Sequence, residues 1–108
     1  MTVKDLCALE EINTVTLPDP DREINGAYIG DLLSWVMGRA QEGNVWITIM
    51  SNINVIAVAS LSDVSCVLLA EGVTLDDTVK NTAEVKGINV LTTELPAYEA
   101  ALLLSGKI

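Results

Sequence analysis

The chain has 108 residues, half of them hydrophobic, with 15 acidic and 6 basic side chains and a formal net charge of −9. That length is one domain, residues 1–108. The charge argues against DNA or RNA as a partner, since affinity for nucleic acid rests on Lys and Arg neutralising phosphates, and the cations Lys4, Arg22, Arg39, Lys80, Lys86 and Lys107 form no run.

A chain of this size buries only roughly two-thirds of its unfolded surface. With so much apolar content, some of it is expected to stay outside. Large apolar patches on soluble proteins usually mark contacts, so a homodimer is expected. No apolar run reaches the length of a membrane span. Met1 to Glu11 carries Lys4, Asp5, Glu10 and Glu11 and lacks the apolar core of a signal peptide. A cytoplasmic protein with no membrane partner is expected, and free thiols suit that compartment.

In chain order, Thr2 is placed to cap a short helix to Glu10, with Val3, Leu6 and Cys7 on one face. Ile12 to Leu17 alternates apolar and polar residues, a weak strand signal. Pro18-Asp19-Pro20-Asp21 is a loop, because proline biases the preceding residue away from helix. Glu23 to Ile29 reads as a strand in which Gly26 marks a bulge or a close backbone approach. Asp31 is predicted to cap a helix to about Gln41. Leu32, Leu33, Val36, Met37 and Ala40 form its apolar stripe, with Trp35 beside them.

Val45 to Met50 is the central strand. Val55 to Leu61 is ambiguous. Its β-branched content suggests strand, whereas Ser51, Asn52 and Asn54 supply helix-capping chemistry just before it; it is read as a short, nearly fully buried helix. Val64 to Ala70 has the continuous apolar character of a strand covered on both faces. Thr74-Leu75-Asp76-Asp77 resembles a capping box for a helix to Lys86. Leu75, Val79, Thr82, Ala83 and Lys86 share its face. Ile88 to Thr92 is another strand, and Pro96 opens a last helix to Leu104, with Tyr98, Ala101 and Leu102 expected on its inner side.

From Asp31 onward helix and strand alternate. That implies right-handed crossovers and an α/β fold, a three-layer α/β/α domain with a mostly parallel sheet of about four to five strands.

In open sheets of this kind ligands sit beyond the carboxyl ends of the strands. Three such ends lead into helices. The one after Ala70 opens with Glu71, Asp76 and Asp77, and the one after Thr92 carries Glu94. Only Ser51-Asn52-Ile53-Asn54 is neutral and rich in hydroxyl and amide groups, so Thr48, Ser51, Asn52 and Asn54 are the candidate ligand-binding residues. The plain structural alternative is that Ser51 and Asn54 cap the following helix.

No catalytic set appears. There is no histidine for general-base work, and no Ser/His/Asp set or phosphate-binding loop. Cys7 and Cys66 alone cannot supply the roughly four nitrogen or sulfur ligands of a zinc site, so no metal and no cofactor are expected. Cys66 lies in an apolar run and reads as a buried small hydrophobe. Trp35, Trp46 and Tyr28 are candidate interface residues, since aromatics are enriched at contacts.

The runs G-A-Y-I-G-D-L-L-S-W-V-M-G-R-A (Gly26 to Ala40), G-N-V-W-I-T-I (Gly43 to Ile49), N-V-I-A-V-A (Asn54 to Ala59) and L-T-T-E-L-P-A-Y-E (Leu91 to Glu99) resemble the DRTGG domain family, and most closely its small stand-alone members. The family also occurs fused to other modules, in some phosphotransacetylases and beside CBS domains in some inorganic pyrophosphatases. It is similar in fold to the N-terminal domain of HPr kinase/phosphorylase. The resemblance implies an α/β/α module that regulates or dimerises while catalysis happens elsewhere. This chain departs from the family's name-giving elements, with Ser51-Asn52 and Glu71-Gly72 in their places, and no catalytic residues carry over.

The expected function is a non-enzymatic, homodimeric regulatory or interaction domain that senses a small ligand such as a nucleotide. The alternative is a structural or phosphotransfer-linked subunit of a larger redox or fermentative enzyme system.

Overall fold

A computed structural model describes residues 1–108. The elements run α1 (Val3–Cys7), β1 (Ile12–Thr16), β2 (Gly26–Ile29), α2 (Leu33–Arg39), β3 (Asn44–Thr48), α3 (Ile53–Ser62), β4 (Cys66–Leu69), α4 (Asp77–Lys86), β5 (Val90–Thr93) and α5 (Ala97–Leu104). The five strands form one sheet in the order β1-β5-β4-β3-β2. β2 through β5 are parallel, and β1 joins β5 antiparallel.

The sheet separates two apolar layers. On one face α2, α3 and α4 deliver Val36, Val55, Ile56, Val58, Ala59, Val79 and Ala83 onto Trp46, Val67, Leu69 and Val90. On the other, α1 and α5 deliver Val3, Leu6, Ala100 and Leu104 onto Val45, Ile47, Cys66, Leu68 and Leu91. The alternation within β3 and β4 is that of strands with apolar residues on both faces. The same-side placement of α2, α3 and α4 follows from chirality. Each crossover moves one strand further in the same direction, so a constant right hand puts every helix on one face. The three-layer α/β/α fold expected from the alternation is the fold observed.

Several local readings change. The ambiguous segment after Asn54 is the helix α3, but it is only half covered: Ile53, Ala57 and Leu61 face out. Its end is held by Asp63 in the left-handed region, φ 53°, whose carboxylate and carbonyl accept from Arg22 at 3.0 and 2.8 Å. The cap of α4 is Asp76, accepting from Val79 N–H at 2.9 Å, and not Thr74. Leu75 then lies in the extended lead-in and packs on the core. In α5 the inner side is Ala100 and Leu104, while Tyr98 and Leu102 point outward. Thr2 does form its capping box, with Asp5 as the reciprocal partner. Gly26 marks a close approach: a Cβ there would sit 3.2 Å from Asn44 Nδ2.

Candidate functional site

The candidate site is the carboxyl end of β3. Thr48 is its last residue and is buried, on the same side of the strand as Trp46. Because β2 and β3 are parallel with Ile29 beside Ile47, Asp31 comes to lie next to Thr48 and Ile49. Its Oδ1 accepts from the Thr48 hydroxyl at 2.8 Å and from Ile49 N–H at 3.1 Å. The Thr48 hydroxyl oxygen in turn accepts from Met50 N–H at 3.2 Å. Asp31 is therefore not the cap of α2. That place falls to Leu32, with no side-chain bond. The physical reason is that Ile49 N–H leaves the ladder unpaired, and a carboxylate held beside it satisfies a donor that would otherwise lose its partner.

Beyond Met50 the chain turns into α3. Asn52 is the cap, accepting from Asn54 N–H at 2.9 Å, so the capping role read for Ser51 and Asn54 belongs to Asn52. The structure thus brings Thr48, Ser51, Asn52 and Asn54 to one strand end. Thr48 and Asn52 already have internal partners. The Ser51 hydroxyl and the exposed Asn54 side chain make no side-chain hydrogen bond within the chain. The loop is open to solvent, with Asn52, Ile53 and Asn54 exposed. Asp31 joins this strand end although its sequence position reads as a helix cap. Its only sequence signal is an acid just past a parallel strand whose partner strand ends in threonine.

The fold offers one further opening, between β4 and β5. Their outgoing loops part there, toward α4 on one face and α5 on the other, the arrangement that leaves a crevice in open sheets. Here the crevice is stitched closed. Glu71 N–H donates to Leu95 O and Gly72 N–H to Thr93 O, both at 2.9 Å. Glu71 sits in the left-handed region at φ 61°. Glu94 lies so close over Gly72 that a Cβ there would meet its Oε2 at 2.6 Å. Two carboxylates at this end disfavour a phosphate.

The aromatic candidates separate. Trp46 is fully buried and its indole N–H donates to Gly30 O at 2.9 Å. It has no surface to offer a second chain, so its reading as an interface residue is corrected to core. Its neighbours in the parallel ladder fill the same layer, which is where a large side chain on a central strand must go. Trp35 is 53% exposed, with the Arg39 guanidinium 3.8 Å from its ring centre. Tyr28 is half-buried and lies over Gly30. Cys66 is buried, and desolvation pushes its thiol up to about 12. No three His, Cys, Asp or Glu side chains are grouped to hold a metal ion.

The fold is a mostly parallel five-stranded sheet with helices on both faces. The model of the DRTGG domain family matches residues 21–106, and the chain belongs to that family. A crystal structure of the CBS and DRTGG domains of the regulatory region of Clostridium perfringens pyrophosphatase, complexed with its activator diadenosine tetraphosphate, is similar with a TM-score of 0.65 and 17% sequence identity. The likeness covers 86% of this chain and 41% of that one, so this chain spans well under half the length of the chain it matches. No curated protein matches the sequence.

Proposed function

We propose that the chain is a non-enzymatic regulatory module that works as a homodimer and senses a nucleotide at the carboxyl end of β3, in the service of a larger metabolic enzyme. The observation that carries this is family membership, joined to a similar DRTGG-containing regulatory region that was crystallised with a dinucleotide activator. Support from the geometry is the pair Ser51 and Asn54, polar and uncommitted at a strand end. Asp31 refines the ligand's orientation. A carboxylate beside Thr48 repels phosphate and accepts from hydroxyl or amino groups, so the nucleoside end meets this loop. Homodimerisation is supported by exposed Ile29, Leu32, Trp35, Met37, Ile49 and Ile53, on β2, on α2 and its cap, just past β3 and at the start of α3.

Thermal unfolding in the presence of adenosine, AMP, ATP and diadenosine tetraphosphate tests the sensing reading. At tenfold excess over its dissociation constant a ligand adds about 1.4 kcal/mol. The double variant Ser51→Ala, Asn54→Ala is expected to abolish the shift while leaving the free protein's stability within about 0.5 kcal/mol. Asn52→Ala is expected to cost about 1 kcal/mol as a lost cap. No shift with any of the four compounds would remove the sensing half of the proposal.

A further inference from the structure

The sheet has two edges, and they are not alike. β1 is interrupted by a register shift between Thr14 and Thr16, a bulge of the kind that discourages edge pairing. β2 at the other edge has an unbroken register against β3 from Gly26 to Ile29. It carries no proline, no lysine and no bulge, the devices by which edges are normally blunted. Gly30 N–H donates inward to Ile47 O at 3.2 Å. By the alternation of a parallel strand, Tyr28 also turns its main-chain groups inward, and Ala27 and Ile29 turn theirs out to solvent. Just upstream, the residues before β2 already pair antiparallel with the chain's own N-terminus, Glu23 with Thr2.

Charge selects the occupant. A copy of a chain with a net charge of −9 can approach another only where carboxylates are scarce. From Ile24 to Gln41 there is one acid, Asp31, and one base, Arg39. The acid is engaged with Thr48 and Ile49. Another exposed apolar surface, Tyr98 and Leu102 on α5, is flanked by Glu94 and Glu99 and is a poorer place for self-contact.

We infer that a second copy of this chain adds to the bare edge of β2, antiparallel about a two-fold axis near Tyr28, so that the two sheets become one continuous sheet. The inference rests on the homodimeric part of the proposed function and names its surface. Ala27 N–H then donates to the partner's Ile29 carbonyl and Ile29 N–H to the partner's Ala27 carbonyl, each twice by symmetry. Ile29 packs beside the partner's Ala27 on one face, and the two Tyr28 rings meet on the other. The exposed side chains of Leu32 at the cap of α2 and of Trp35 and Met37 within it lie next to this seam.

Light scattering and sedimentation of the full chain test it with Ile29→Lys, Ala27→Pro and, as a control, Tyr98→Lys. Proline is tolerated on an edge strand where the N–H faces solvent, so Ala27→Pro should keep the fold, as circular dichroism will report. The wild type and Tyr98→Lys are expected to be dimers. The β2 variants should weaken the dimer by about tenfold or more. Amide exchange supplies a readout without mutation: the Ala27 and Ile29 amides should be protected in the dimer and lose protection on dilution, while Tyr28 stays protected throughout. A dimer that survives both β2 variants, or one in which the Ala27 and Ile29 amides exchange freely, overturns this surface and leaves the homodimer standing. A wild type that is monomeric at every concentration overturns both.

Discussion

Cys66 and Cys7 are the only thiols, and the fold treats them oppositely. Cys66 lies in the layer between β4 and the α1/α5 face, fully buried, and Cys7 is half-exposed at its margin. Burial disfavours the thiolate and lifts the Cys66 thiol from its ordinary 9.0 to about 12. The unfolded chain therefore gives up this proton first as pH rises. Stability is unaffected by this group below about pH 9 and is then lost, by about 1.4 kcal/mol per pH unit, until the folded thiol ionises. Denaturant titrations of the wild type and Cys66→Ala between about pH 8 and 11 should show that slope in the first and not in the second. A thiol reagent at neutral pH should label Cys7 and leave Cys66 intact. The burial of Cys66 was legible in V-S-C-V-L-L. The role of Asp31 was not, because its partner Thr48 is a neighbour only after β2 and β3 lie side by side.

Among elements, order and type were readable because strands and helices differ in hydrophobic period. Phase and boundaries were less so. α4 offered two acceptors within three residues, Thr74 and Asp76, and nothing local decides between them. The choice falls to Asp76 because that start lets Leu75 reach the core while Val79 and Ala83 face the sheet. Asp76→Ala should cost about 1 kcal/mol in chemical unfolding, and Thr74→Ala less than about 0.5 kcal/mol. α5, A-Y-E-A-A-L-L-L, is apolar nearly all round, so its sequence has little polar contrast to orient it. Packing resolved it in favour of the small Ala100 against the sheet, with Leu104 a turn later, and turned Tyr98 out.

For the whole molecule, the α/β/α layering followed from the alternation of elements and was legible in full. What the alternation could not say is that all three crossovers stay on one face and that the single parting of the loops, between β4 and β5, is bridged by main-chain bonds. A dimer seamed along β2 joins two strongly acidic bodies through a nearly neutral strip. Its association should therefore tighten as salt screens the mutual repulsion, over about 20 to 300 mM NaCl. Sedimentation equilibrium at the two ionic strengths checks this. A seam held by ion pairs would respond in the opposite sense.

The burial of Trp46 beneath Gly30 and the openness of Trp35 under Arg39 give the chain two light-emitting rings in contrasting surroundings. A water-soluble collisional quencher reaches Trp35 freely and Trp46 only when the fold opens. The protein thus carries its own pair of optical gauges, one for events along the α2 flank and one for the integrity of the interior.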